Sequence, residues 1–164
     1  MPRCSRCETQ IAGIDAVTLN PVTATLCPRC IDYFELQEVA DICQYLENLP
    51  APILVVDGGN VVRGANTLAC KTVSKDLPHI LNLRGGDVFE CANAHLPGGC
   101  GRTVHCSGCT VRKAILDTLS TGKALSGVSV EVLQNVGGKD RRVPFKISTQ
   151  RLSNCVLLQI NEGL

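Results

Sequence analysis

The sequence predicts an α+β fold: a five-stranded antiparallel sheet with helices on one face, preceded by a small zinc-ribbon-like module and a linking helix. Three observations predict it. Beyond residue 50, strand-like runs stand at both ends of the chain with helical patterns between them. Eight of the eleven cysteines fall into two sets of four with metal-ligand spacing. A helical pattern over residues 31–49 separates the first set from the rest.

Composition narrows the function classes. A chain of 164 residues is one medium domain with room for a module, and 45% hydrophobic residues supply a packed core. A formal net charge of +1 gives no broad electrostatic footprint for nucleic acid, and 3% aromatic residues give no base-stacking platform. No run approaches the ~18 apolar residues needed to span a membrane. MPRCSRC starts on ligand spacing, without an apolar signal core. The expectation is a cytoplasmic protein whose closely spaced cysteines are ligands rather than disulfides.

The first set is Cys4, Cys7, Cys27 and Cys30, two C-x2-C pairs. Between them IAGIDAVTLNPVTATL reads as a hairpin turning at Asn20-Pro21. About thirty residues cannot bury a sufficient core alone, and a metal is the usual remedy. Four thiolates suit structural zinc. Iron in the same geometry or a redox dithiol are the alternatives. Arg3, Arg6 and Arg29 beside the ligands read as a solvated basic rim. Residues 31–49 follow as a helix, with Val39, Ile42, Leu46 and Leu49 at three–four spacing, Phe34 and Leu36 upstream, and Pro50 and Pro52 stopping it. Its apolar stripe either packs on its own domain or pairs with a second copy.

From residue 51 the pattern changes. Ile53 to Val56 reads as a buried strand, Asp57-Gly58-Gly59-Asn60 as a hairpin turn, and residues 61–66 as the partner strand. Asn66 caps TLACKTVSK as a short helix. Residues 77–105 are loop-rich. Residues 110–121 form a helix with Val111, Ile115 and Leu119 on one face, ended by Gly122. Strands at 126–136, 142–151 and 154–161 complete the sheet, with Gly137-Gly138-Lys139-Asp140 as a turn and Val128, Val130, Val132 and Gln134 alternating.

Residues 50–164 resemble a PAS domain. PAPILVVDGGNVVRGANTLA is similar to the first PAS hairpin, HCSGCTVRKAILDTLSTGKALSG to the long helix, and VPFKISTQRLSNCVLLQINE to the last two strands. ECANAHLPGGCGRTVHCSGCTVRKAI resembles a cysteine-bearing subgroup of bacterial PAS sensors with a GCG followed by C-x2-C. The resemblance implies signal sensing, often as a homodimer, with a separate kinase or regulator as partner and regulation of transcription among the outputs. Membrane and nucleic-acid contacts are not expected. The division is then a module at 1–30, a connecting helix at 31–49 and a PAS domain at 50–164.

The second set is Cys91, Cys100, Cys106 and Cys109, spaced C-x8-C-x5-C-x2-C. Cys106 and Cys109 precede the 110–121 helix, whose N-terminal dipole favours thiolate. Glycines around Cys100 let the backbone bend about an inorganic centre. A loop-stiffening zinc, an iron–sulfur cluster and a disulfide switch all suit these thiols, and the absence of any shared site is the remaining alternative. His95 and His105 flank the set without being needed for a count of four. His79 has no sequence partner. Cys43, Cys70 and Cys155 sit singly in apolar patterns as core thiols.

Other chemistry is missing. Thr110 follows Cys109, so no haem-attachment motif exists, and there is no Walker loop, nucleophile elbow or flavin-binding cysteine motif. Gly85-Gly86-Asp87 resembles a cyclase signature, but Val88-Phe89 follows. No kinase or helix-turn-helix pattern occurs in the sequence, so a sensor or adaptor without its own output is expected. The expectation is a non-enzymatic sensor whose cysteine centre couples redox, oxygen or metal state to partner contacts. The alternatives are an adaptor with two structural zinc sites, and a thiol oxidoreductase using Cys106 and Cys109.

Overall fold

Two antiparallel sheets organise the computed structural model, which describes residues 3–4, 6–10, 17–19, 24–27, 29–30, 39–152 and 154–163. The small sheet pairs β1 (Val17–Leu19) with β2 (Ala24–Leu26), Val17 facing Leu26. This is the expected hairpin. Its Asn20-Pro21 turn lies outside the described residues, as do positions 31–38 with Phe34 and Leu36. Helix α1 covers Val39–Leu46.

The large sheet holds β3 (Ile53–Asp57), β4 (Val62–Ala65), β5 (Leu125–Val136), β6 (Lys139–Leu152) and β7 (Cys155–Glu162). Their order is β4-β3-β7-β6-β5, with every neighbouring pair antiparallel. The expected five-stranded sheet is present. Between β4 and β5 run α2 (Thr67–Val73), α3 (Leu77–Ile80), α4 (Gly85–Val88) and α5 (Thr110–Thr121). Two 3-10 turns, Ala92–His95 and Cys106–Gly108, complete that stretch. The loop-rich reading of 77–105 therefore gives way to single helical turns. The β5–β6 turn is also tighter than expected. Gly137 and Gly138, at φ 61° and 80°, form a two-residue loop, while Lys139 and Asp140 join the ladder opposite Val136 and Asn135. No helix among the described residues is long and apolar enough to cross a membrane.

The sheet alternates, so each strand feeds two cores. Leu54, Val56, Val156, Leu158 and Ile160 pack with Val111, Ala114 and Ile115 of α5. Ile53, Val55 and Leu157 enter a second cluster with Ile42, Leu46 and Leu49, and with the N-terminal Cys4, Cys27 and Cys30. The helices between β4 and β5 share one face of the sheet, and α1 and the N-terminal cysteines cover the opposite face. It also settles the stripe on α1. Ile42, Leu46 and Leu49 are 3%, 0% and 8% exposed, packed on their own sheet.

Asn66 ties these layers together. Its Oδ1 accepts from Ala69 N at 3.0 Å, capping α2 as expected, and from Ile53 N at 3.0 Å at the start of β3. Its Nδ2 donates to Leu46 O at 3.0 Å and Ala51 O at 2.7 Å. The single cysteines behave as core groups: burial pushes Cys43 up to about 11 and also raises Cys70 and Cys155.

Asp57 closes the β3–β4 turn. Its carboxylate accepts from Gly59 N at 2.9 Å, Val61 N at 3.0 Å and Arg63 Nε at 2.8 Å. Partial burial opposes ionisation, but the Val61 and Gly59 N–H groups and Arg63 outweigh it and lower the carboxyl below its usual range. A depressed acid contributes stability above its unfolded pKa and loses it as pH falls through the folded one. Asp57→Ala is expected to cost about 1 kcal/mol at pH 7, discounted for solvent screening. The gap to wild type should narrow below pH ~4, read by thermal unfolding across pH.

Candidate metal centres

The N-terminal cysteines converge. The ligand atoms of Cys4, Cys7, Cys27 and Cys30 all lie within 4.8 Å of one another, and Cys7 Sγ is 3.7 Å from Cys27 Sγ. Zinc–sulfur bonds of about 2.3 Å in a tetrahedron place ligand sulfurs about 3.8 Å apart, so the spacing fits one ion. Local backbone builds the knuckle: Glu8, at φ 59°, turns the chain so that Cys4 N reaches Thr9 O at 2.9 Å and Glu8 N reaches Cys4 O at 2.9 Å. On the second knuckle Cys30 N bonds Cys27 O at 2.9 Å, and Cys27 N points at Cys4 Sγ at 3.4 Å. Arg6 Nη1 lies 3.6 Å from Cys30 Sγ.

The four thiols differ. Cys4, Cys27 and Cys30 are buried, whereas Cys7 is exposed. The Thr9 hydroxyl and N–H lower Cys7 to about 6, while burial pushes Cys30 up to about 12. Burial opposes ionisation of Cys4, but the N–H groups of Cys27, Cys7 and Arg6 outweigh it and lower the thiol. A divalent cation at the centre would remove the penalty on the buried thiolates.

A cavity of about 590 Å³ lies between β5, β6 and the start of α5. Cys91, Cys100, Cys106 and Cys109 all line it. Among the described residues, the N-terminal set is the one that draws three or more ligand atoms to metal-site spacing; the four cavity sulfurs are not within that spacing of one another. His105 also lines the cavity, whereas His95 and His79 are exposed elsewhere.

Backbone N–H groups point at these sulfurs. Cys100 Sγ receives Gly86 N at 3.2 Å and Asn60 Nδ2 at 3.5 Å. Cys106 Sγ receives Gly101 N at 3.1 Å and stands 3.1 Å from Thr103 Oγ1. Cys109 is the N-cap of α5 and accepts from Arg112 N at 3.5 Å. Cys91 bridges to Gln134 of β5, and its N–H bonds Gly86 O at 2.7 Å. Burial opposes ionisation of Cys106, yet the Thr103 hydroxyl and N–H, Gly101 N–H and Arg112 lower its pKa. Cys100 moves up: burial dominates, and negative charge at Cys106, Cys109 and Asp87 adds to it against the Gly86 N–H. Four soft donors, three of them with N–H groups at sulfur, are the kind of ligand a soft metal ion takes.

Sequence reading missed two parts of this wall. Asn60, the last residue of the Asp57-Gly58-Gly59-Asn60 turn, is 6% exposed, sits at φ 61°, and leaves Oδ1 without a partner. Gly85 and Gly86 are the close-approach glycines. A Cβ on Gly85 would lie 2.8 Å from Asn60 Oδ1, and one on Gly86 would lie 2.8 Å from Cys100 Sγ. A paired glycine ahead of a cysteine-rich loop was the available signal.

No protein-family model matches the chain, and no curated protein does. Among solved structures it is similar to the PAS domain of nitrogen regulation protein NR(II) from Vibrio parahaemolyticus, at 18% identity and TM-score 0.48, covering 75% of this chain and 97% of that one. It is similar to a domain of a sensory box sensor histidine kinase/response regulator from Geobacter sulfurreducens, at 16% identity and TM-score 0.48, covering 76% and 94%. It is also similar to the Rhodobacter sphaeroides LOV protein, at 15% identity and TM-score 0.49, covering 76% and 65%.

Proposed function

We propose that the protein is a PAS-type sensory module with two metal centres, divided as 1–30, 31–49 and 50–164. Cys4, Cys7, Cys27 and Cys30 hold structural zinc. Cys91, Cys100, Cys106 and Cys109 hold an iron–sulfur cluster or zinc, whose redox, oxygen or metal state is the signal. The observation carrying this reading is the placement of the second set. Four cysteines, Cys106 and Cys109 on one turn and Cys91 and Cys100 from the loop before it, line one cavity, three of them with N–H groups directed at sulfur. The sheet order and the sequence resemblance support the sensory class. No catalytic role is assigned to the thiols.

The chain's own contacts supply a path outward. Asn60 joins Cys100 to the β3–β4 turn, Gly85 N bonds Asn60 O at 2.9 Å, and Arg84 Nη1 holds Cys100 O at 2.6 Å. A ligand sulfur that moves therefore pulls on the turn ending β3. The output is contact with a second copy or a separate regulator in the cytoplasm. The stripe of α1 is already covered by its own sheet, so that contact uses another surface.

Purification without air, followed by absorption spectroscopy and metal and sulfide analysis, tests the reading. A brown protein with acid-labile sulfide and one zinc per chain is the iron–sulfur result. A colourless protein with two zinc ions gives the zinc form and favours an adaptor with two structural sites. One zinc and no second centre overturns the proposal.

A further inference from the structure

The N-terminal site is not uniformly protected. Three of its sulfurs belong to buried residues, with Cys4 at 1%, Cys30 at 3% and Cys27 at 8% exposure, and all three are part of the apolar layer over Ile53, Val55, Leu152 and Leu157. Cys7 alone among the four is exposed. Its sulfur stands 3.7 Å from Cys27 Sγ, whereas Cys4 Sγ is engaged by Cys27 N and Cys30 Sγ by Arg6. A disulfide needs about 2.05 Å between sulfurs, so a closure of roughly 2 Å converts this contact into a bond. Cys7 sits on the turn of the first knuckle, where backbone can supply that movement.

We propose that Cys7 is an oxidation site, and that a peroxide links Cys7 to Cys27 and expels the metal from the N-terminal knuckles. The inference rests on that site holding zinc. A Cys7 thiolate electron pair attacks one peroxide oxygen, the O–O bond breaks, hydroxide leaves, and Cys7 becomes a sulfenic acid. The Cys27 thiolate then attacks the Cys7 sulfur, the S–S bond forms, the S–O bond breaks, and a second hydroxide leaves. Two thiolates are oxidised by two electrons in total, and the peroxide is reduced to two hydroxides. The ion, left with Cys4 and Cys30, dissociates. The layer those cysteines form on β3, β6 and β7 then loosens, so the site described as structural becomes one that reports oxidant.

The test treats the zinc-loaded full chain with hydrogen peroxide. Released zinc is followed with a chelating dye, and disulfides are mapped by peptide mass spectrometry before and after a thiol reductant. Expected are release of the N-terminal zinc, a Cys7–Cys27 cross-link, and rebinding after reduction. Cys7→Ser should slow release at least tenfold. If that variant does not retain zinc, brief alkylation of wild type replaces it, with Cys7 expected to label before Cys4, Cys27 and Cys30 as oxidant begins to act. Zinc retained under peroxide, or a Cys4–Cys7 or Cys27–Cys30 bond instead, overturns the proposal. A chain in which Cys4→Ser removes no zinc overturns the metal reading itself, which separates the two failures.

Discussion

Asn66→Asp is expected to lower unfolding stability by about 3–5 kcal/mol, the range for an uncompensated buried charge. Asn66 is 1% exposed and makes four hydrogen bonds. A carboxylate keeps the two bonds from Ile53 N and Ala69 N. It loses both donated bonds and turns a negative oxygen toward Leu46 O and Ala51 O. Those carbonyls end α1 and begin the segment into β3, so the N-terminal layer and the sheet share the damage. Asn66→Ala removes all four bonds. Leu46 O keeps Leu49 N at 3.1 Å, and each of Ile53 N, Ala69 N and Ala51 O that stays buried without another partner or water costs about 1–3 kcal/mol. Urea denaturation reads the effect as a lower midpoint. Asn135→Ala, which loses only an exposed bond to Asp140, should stay within about 0.5 kcal/mol of wild type.

Gly86→Ala is expected to weaken the cavity centre by about 10–100-fold in metal affinity, the range for losing a ligand's support, while the sheet stays folded. The added Cβ would lie 2.8 Å from Cys100 Sγ, 3.0 Å from Cys100 Cβ and 3.3 Å from Ala94 Cβ. Cys100 must retreat, and it gives up the Gly86 N–H and Asn60 contacts that orient its sulfur. The second centre's absorbance or metal content should fall, with unchanged far-UV circular dichroism and full N-terminal zinc. Gly58→Ala is the matched control, because its Cβ would make only an ordinary 3.5 Å contact with Leu119.

The strands, the long helix and the N-terminal cysteine cluster were legible because each rests on local pattern. Period-two alternation at Val130 and Val132, the three–four stripe on α5 and the C-x2-C pairs need no knowledge of tertiary contacts. The α1 stripe was equally legible, but its partner was not. An apolar stripe specifies burial, and only the sheet's outward residues Ile53, Val55 and Leu157 show what buries it. Asn60 was hidden for a similar reason. Asp-Gly-Gly-Asn reads as a turn whether its last side chain points to water or into a cavity, and the loop bringing Cys100 onto it lies far along the sequence. Gly137-Gly138 shows the opposite limit: turn chemistry was right, but its boundaries were set by cross-strand pairing of Lys139 and Asp140.

The central claim is that Cys91, Cys100, Cys106 and Cys109 form a metal centre independent of the N-terminal one. Metal and sulfide content of anaerobically purified wild type, Cys4→Ser and Cys109→Ser tests it most directly. The account predicts two centres in wild type, loss of the N-terminal zinc alone in Cys4→Ser, and loss of the cavity centre alone in Cys109→Ser. A Cys109→Ser protein with the same metal and sulfide content as wild type would contradict it.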